Sequence, residues 1–278
     1  MTASGTMDRV HQHDWDFKVL DEHPPLDGSM QLTAMRRIAA TGLPWRVRDR
    51  KTGIVMILCA PDALVIGSAA TEYGHQEDET ILAVNIASPY YLGQTAVTQE
   101  EWERVMGGNP SVFQGRLNPV DNVSAWDCLE FARRCGPGFR FPYEAEWENA
   151  CRAGSTTPFS CEGMIDPSLV NYHGEHPYSG GTLGLNRRGP VPVAALPPNR
   201  WYFYEMHGNV WEWCSASTTR RAFAGDRPIP TVLRGGSWGN HAHSCRSASR
   251  LVRIPEYRRK TVGFRIARDA PPVRRSPG

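Results

Sequence analysis

Between residues 155 and 240, glycine or proline recurs every few positions. This punctuation constrains the fold more than any other feature of the chain. Neither residue is favoured inside helices or strands, so regular elements in this half must be short. Tryptophans gather in the same stretch, at Trp201, Trp211, Trp213 and Trp238. Large aromatic side chains then supply packing that long elements would otherwise give.

The first half carries ordinary signals. "MQLTAMRRIAATG" (30–42) reads as a short helix ended by Gly42. "TGIVMILCAPDALVIGS" (52–68) holds two apolar runs around "APDA" and predicts a pair of strands joined by a turn. "ILAVNIASPYYLGQTAVT" (81–98) offers more strand. In "TQEEWERVMGG" Thr98 caps a helix, Glu101 completes a capping box and the glycines end it. "NPVDNVSAWDCLEFARRCG" repeats that logic, with Ser124 as cap and Gly136 as stop. A third such helix lies in 141–155, between Pro142 and Gly154. Strands first, then a few helices, then a loop-rich half indicate an α+β fold. The partition is an N-terminal extension over 1–49, partly helical, one domain over 50–268 and a disordered tail over 269–278.

The balance of charge is even, thirty-one basic against twenty-nine acidic residues in 278, which does not point to nucleic acid. The basic residues Arg246, Arg250, Arg253, Arg258, Arg259 and Lys260 read as a solvated face. No apolar run reaches the roughly 20 residues of a membrane helix, and "MTASGTMDRVHQHDWDF" has no secretory apolar core. A cytoplasmic protein is the expectation. Seven cysteines without a CxxC pair read as free, mostly buried thiols.

"RGGSWGNHAHSCRSASR" (234–250) poses the functional question. On a strand, His241, His243 and Cys245 would share a face and could ligate zinc, copper or iron. The preceding "GGSWGN" favours a turn, in which His241 and His243 are exposed and Cys245 is a buried small hydrophobe.

Six stretches come in a fixed order: 90–111, "PVDNVSAWDCLEFA", "FPYEAEWENACRAG", "YEMHGNVWEWC", "LRGGSW" and "CRSASR…VGFRIAR". Together they closely resemble the formylglycine-generating-enzyme (sulfatase-modifying-factor) domain family over roughly residues 50–268. The resemblance implies a loop-rich fold related to C-type lectins. The family includes copper-dependent oxidases that convert a sulfatase cysteine to formylglycine, iron-dependent sulfoxide synthases, and binding modules such as retroelement-diversified variable proteins.

The oxidases carry two cysteines five positions apart after "RGGS". Here the first position holds Asn240 and the second Cys245. An amide is a poor Cu(I) ligand, although Trp213 and Ser237 match the family's oxygen-pocket residues. Iron is not favoured, because its ligands would come from a separate helical domain, and His11, His13 and His23 lie in no such scaffold. Calcium is the metal that the resemblance implies, on Asn209 and Glu212 with backbone oxygens near Gly208 and Val210, and at a second site on Asn171 and the Tyr172 carbonyl. Calcium needs six to eight oxygen donors. Tyr143 stands where the family has a capping threonine, at a cost of about 0.5–2 kcal/mol.

The reading is a family member that does not generate formylglycine and binds a protein or peptide through residues 239–261. Asn240, His241, His243, Arg253, Tyr257 and Arg259 are its candidate contacts. There Leu251, Val252, Ile254 and Tyr257 interleave with arginines, a composition suited to protein recognition. The alternatives are a metal-dependent oxidoreductase using Cys245 with His241 or His243, and a retroelement-diversified variable protein.

Overall fold

The computed structural model describes residues 15–161, 164–216 and 232–271. His11, His13 and most of the C-terminal tail lie outside the described residues. The main sheet has six antiparallel strands in the order β1-β2-β3-β6-β12-β7. They are β1 Phe17–Asp21, β2 Arg46–Asp49, β3 Val55–Cys59, β6 Tyr90–Gly93, β12 Ala267–Asp269 and β7 Phe139–Arg140. A second sheet runs β10-β9-β8-β11, from β8 Trp211–Cys214, β9 Val232–Arg234, β10 Arg250–Val252 and β11 Val262–Gly263. A separate ribbon pairs β4 Asp62–Ile66 with β5 Leu82–Ile86. With four short α-helices and long loops among the described residues, the fold is α+β and loop-rich.

Two expectations change. The runs in 52–68 are both strands, but they do not pair with each other. Both edges of β3 are taken, by β2 and β6, so β4 must find its partner in β5. The boundary drawn at residue 49 also fails as a structural division. β1 and β2 form one end of the main sheet, and α1 (Leu32–Ala40) buries Ala34 and Ile38 in the same core as Trp45 and Val47. Asp269, assigned to the tail, ends β12.

Local signals hold well in the helices. α2 (Gln99–Met106) and α3 (Ala125–Cys135) have full capping boxes at Thr98/Glu101 and Ser124/Asp127. Gly107 closes α2 with φ 84°, a left-handed conformation that costs glycine nothing. In α4 (Glu144–Arg152) the Tyr143 side chain makes no cap bond, and half of the box survives because its N–H donates to Glu146 at 3.0 Å.

The aromatic core is built around Trp102, stacked on Phe131 at 5.3 Å, with Phe264 edge-on to both. A second apolar cluster contains Phe159, Ile165, Tyr172, Tyr178, Ala242 and Cys245. The loops between are stapled by buried arginines from three of the motifs. Arg234 pairs with Glu148, Arg246 with Glu72 and Glu79, and Arg265 with Glu212. Arg246 was expected on the solvated face; it is instead fully buried, because two carboxylates converge on it. Among the described residues no helix is long and apolar enough to cross a membrane.

Candidate functional site

The segment after β9 turns at Gly235 and Gly236, then forms a short 3-10 turn over Ala242–Cys245. It is not a strand, so His241, His243 and Cys245 do not share a face. His241 is exposed, His243 is half-buried and Cys245 is fully buried. A β-carbon on Gly236 would lie 2.6 Å from Cys245 Sγ, so the thiol is held tightly beneath that turn. Burial pushes the Cys245 thiol up to about 12. The adjacent Arg246 does not offset this, since its charge is directed at Glu79. A thiolate, the reactive and metal-binding form, is therefore scarce at neutral pH.

Asn240 lines an open cleft of about 460 Å³. Its Oδ1 accepts from Trp211 Nε1 at 2.8 Å and from Ser237 Oγ at 2.5 Å. Both acceptor positions are thus used, and the amide oxygen ties together two other residues of the cleft lining, Trp211 and Ser237. Ser237 lines the cleft. Trp213, the other oxygen-pocket match, does not; it is buried with its indole N–H on the Val123 carbonyl at 3.1 Å.

Arg253 and Tyr257 also line the cleft. The Arg253 and Arg259 guanidinium groups lie 5.3 and 5.0 Å from the Tyr257 ring centre, in cation–π range. Neither has a carboxylate partner among the described residues. Arg250 does, with Glu144 and Asp78, and so does Arg258, with Asp127. Leu251 and Tyr257 are partly buried against the core, while Val252 and Ile254 stand 51% and 67% exposed.

The residues that the resemblance assigned to calcium are engaged with one another. Glu212 is clamped by Arg265, through Nε at 2.6 Å and Nη2 at 2.9 Å, and also accepts from Trp147 Nε1 at 2.7 Å. Asn209 Oδ1 accepts from Asn171 Nδ2 and the Val191 N–H, and its carbonyl accepts from Trp238. Gly208, at φ 76°, packs so closely on Asn171 that a β-carbon would lie 2.3 Å from that carbonyl. Val210 and Tyr172 are buried around this turn. A cation on Glu212 would face the fixed charge of Arg265, so this donor set does not fit calcium. At the second position Asn171 Oδ1 is buried without a partner, but among the described residues no three acidic, histidine or cysteine side chains are set around a common point.

Sequence reasoning missed the far side of the loop. His173 and His176 meet His241, and Gly74 and Gln76 border the cleft. The spacing of "YHGEH" (172–176) was the available signal for the histidines.

Comparison with known proteins agrees with this architecture. The sulfatase-modifying factor enzyme 1-like domain matches residues 55–270. The formylglycine-generating enzyme of Bos taurus is 32% identical over 204 residues, covering 67% of this chain and 53% of that protein. The inactive C-alpha-formylglycine-generating enzyme 2 of Mus musculus is 32% identical over 177 residues, covering 61% and 55%. The match thus spans about half the length of these relatives. The structure of PvdO from Pseudomonas aeruginosa superposes with a TM-score of 0.68 at 26% identity, covering 81% of this chain and 98% of that one. Fold, motifs and matched span agree: the chain belongs to the sulfatase-modifying factor enzyme 1-like domain family, the family of the formylglycine-generating enzymes.

Proposed function

We propose that this chain is a binding member of its family that does not generate formylglycine. The observation that carries the reading is Asn240. By the family resemblance it stands where the first catalytic cysteine would be, and its amide oxygen is taken up by Trp211 and Ser237. The remaining cysteine is sealed and its thiol is pushed up to about 12, so a two-thiolate Cu(I) site has neither of its ligands in usable form. The relatives include both formylglycine-generating enzymes and an inactive one, so membership alone is compatible with either outcome.

The ligand would be an acidic peptide with apolar side chains. Arg253 and Arg259 offer charge without a carboxylate partner among the described residues, Tyr257 offers a ring, and Val252 and Ile254 offer exposed apolar surface beside the cleft. His241 and Asn240 border the same loop. Seven free thiols support a reducing, cytoplasmic setting.

The test has two arms. Reduced protein competes with a chromogenic chelator for Cu(I), as wild type and as Cys245→Ala; no binding above background is expected, and tight binding lost in the variant would restore the oxidase reading. Acidic peptides are then titrated against wild type and Tyr257→Ala. Weaker binding in the variant supports the proposed face, and equal binding removes it.

A further inference from the structure

A cluster of four imidazoles, His173, His176, His241 and His243, adjoins the cleft, and His243 also lines it. Two backbone hydrogen bonds fix the segments that carry it: His173 N–H to the Asn240 carbonyl at 2.9 Å, and Ala242 N–H to the His176 carbonyl at 3.1 Å. His176 and His241 stack with ring centres 3.9 Å apart. His173 lies 4.6 Å from His176, and His243 lies 5.6 Å from His241.

We propose that His176 and His241, with His173 beside them, form a surface site for a borderline divalent cation of the zinc or nickel class. Imidazole suits such ions, whereas calcium and magnesium prefer oxygen. Two imidazoles on one ion, with metal–nitrogen bonds of about 2.0–2.1 Å, place their ring centres about 5 Å apart. The spacings here bracket that figure. As placed, the rings stack and no three converge on one point. His176 and His241 are exposed, so rotation about their side-chain bonds brings their nitrogens together without disturbing the core.

The surroundings favour a cation. His173 Nε2 accepts from the Asn186 side-chain amide at 3.1 Å, which orients the ring beside the pair. Glu175 lies 4.0 Å from His173 Nε2 and supplies negative charge. The nearby Arg246 is neutralised by Glu72 and Glu79. The site does not depend on the peptide-binding reading, although it shares the loop that carries Asn240.

The test is a zinc titration of the full chain by calorimetry, with wild type, His176→Gln, His241→Gln and the double variant. One ion per chain is expected at neutral pH. Each single variant should weaken binding at least about tenfold, and binding should weaken on acidification, because protons compete with the ion for the imidazole nitrogens. Equal melting temperatures would show that the variants remain folded. Unchanged affinity in the double variant, or no binding by wild type at about 100 μM zinc, overturns the proposal.

Discussion

Arg265 and Glu212, 53 residues apart, form a bidentate pair with both side chains almost wholly buried. The same guanidinium also donates to the carbonyls of Gly93, Gln94 and Tyr204. One side chain thereby ties β8, the end of β6 and the loop before "GNVWEW" into one unit. A buried charge is tolerated only when paired and hydrogen-bonded in this way.

Removing one partner leaves the other charge buried. Arg265→Ala should therefore destabilise the fold by about 3–5 kcal/mol, measured by urea denaturation. Because Arg265 occupies Glu212, the wild-type melting temperature should be the same in calcium as in chelator. A rise in calcium would mean that Glu212 releases Arg265 to take the ion.

Thiol labelling under native conditions should discriminate among the cysteines. Cys161 is partly exposed and the other six are buried. Mass spectrometry should find Cys161 modified first and Cys245 only after unfolding. Early modification of Cys245 would reopen its case as a reactive group.

His207 provides a pH signature. Its Nδ1 lies 2.7 Å from the Cys245 carbonyl and its Nε2 3.0 Å from the Ser160 N–H. A carbonyl can only accept and an N–H can only donate, so the ring is neutral with its proton on Nδ1. Burial lowers its pKa to about 4. The unfolded chain binds this proton near pH 6.5 while the folded chain resists it to about 4. The stabilisation is complete above about 6.5 and is lost as pH falls toward 4, amounting to roughly 2 kcal/mol at pH 4.5. Denaturation at pH 7.5 and 4.5 should show this loss in wild type and a smaller pH difference in His207→Gln.

The cap of α2 is a local test. Thr98→Ala removes the bonds to the Glu101 N–H and carboxylate and should cost about 1 kcal/mol. No change in the denaturation midpoint would show that Glu101 caps the helix alone.

Much of this molecule is determined by its sequence alone. The caps at Thr98 and Ser124, the glycine stops, the short elements after residue 155, the family motifs and the amide at position 240 depend on neighbours within a few residues. Backbone hydrogen bonding in helices and turns has that same short range. Tertiary structure decided the rest. Nothing near Arg246 in sequence indicates that Glu79, 167 residues away, will bury it. Nothing beside β3 indicates that β4 will leave it for β5, and only loop packing sets His176 on His241 or seals Cys245 beneath Gly236. A buried charge, a strand edge or a ring is satisfied by whichever complementary group the folded chain brings within a few ångströms, and separation along the chain does not encode that proximity.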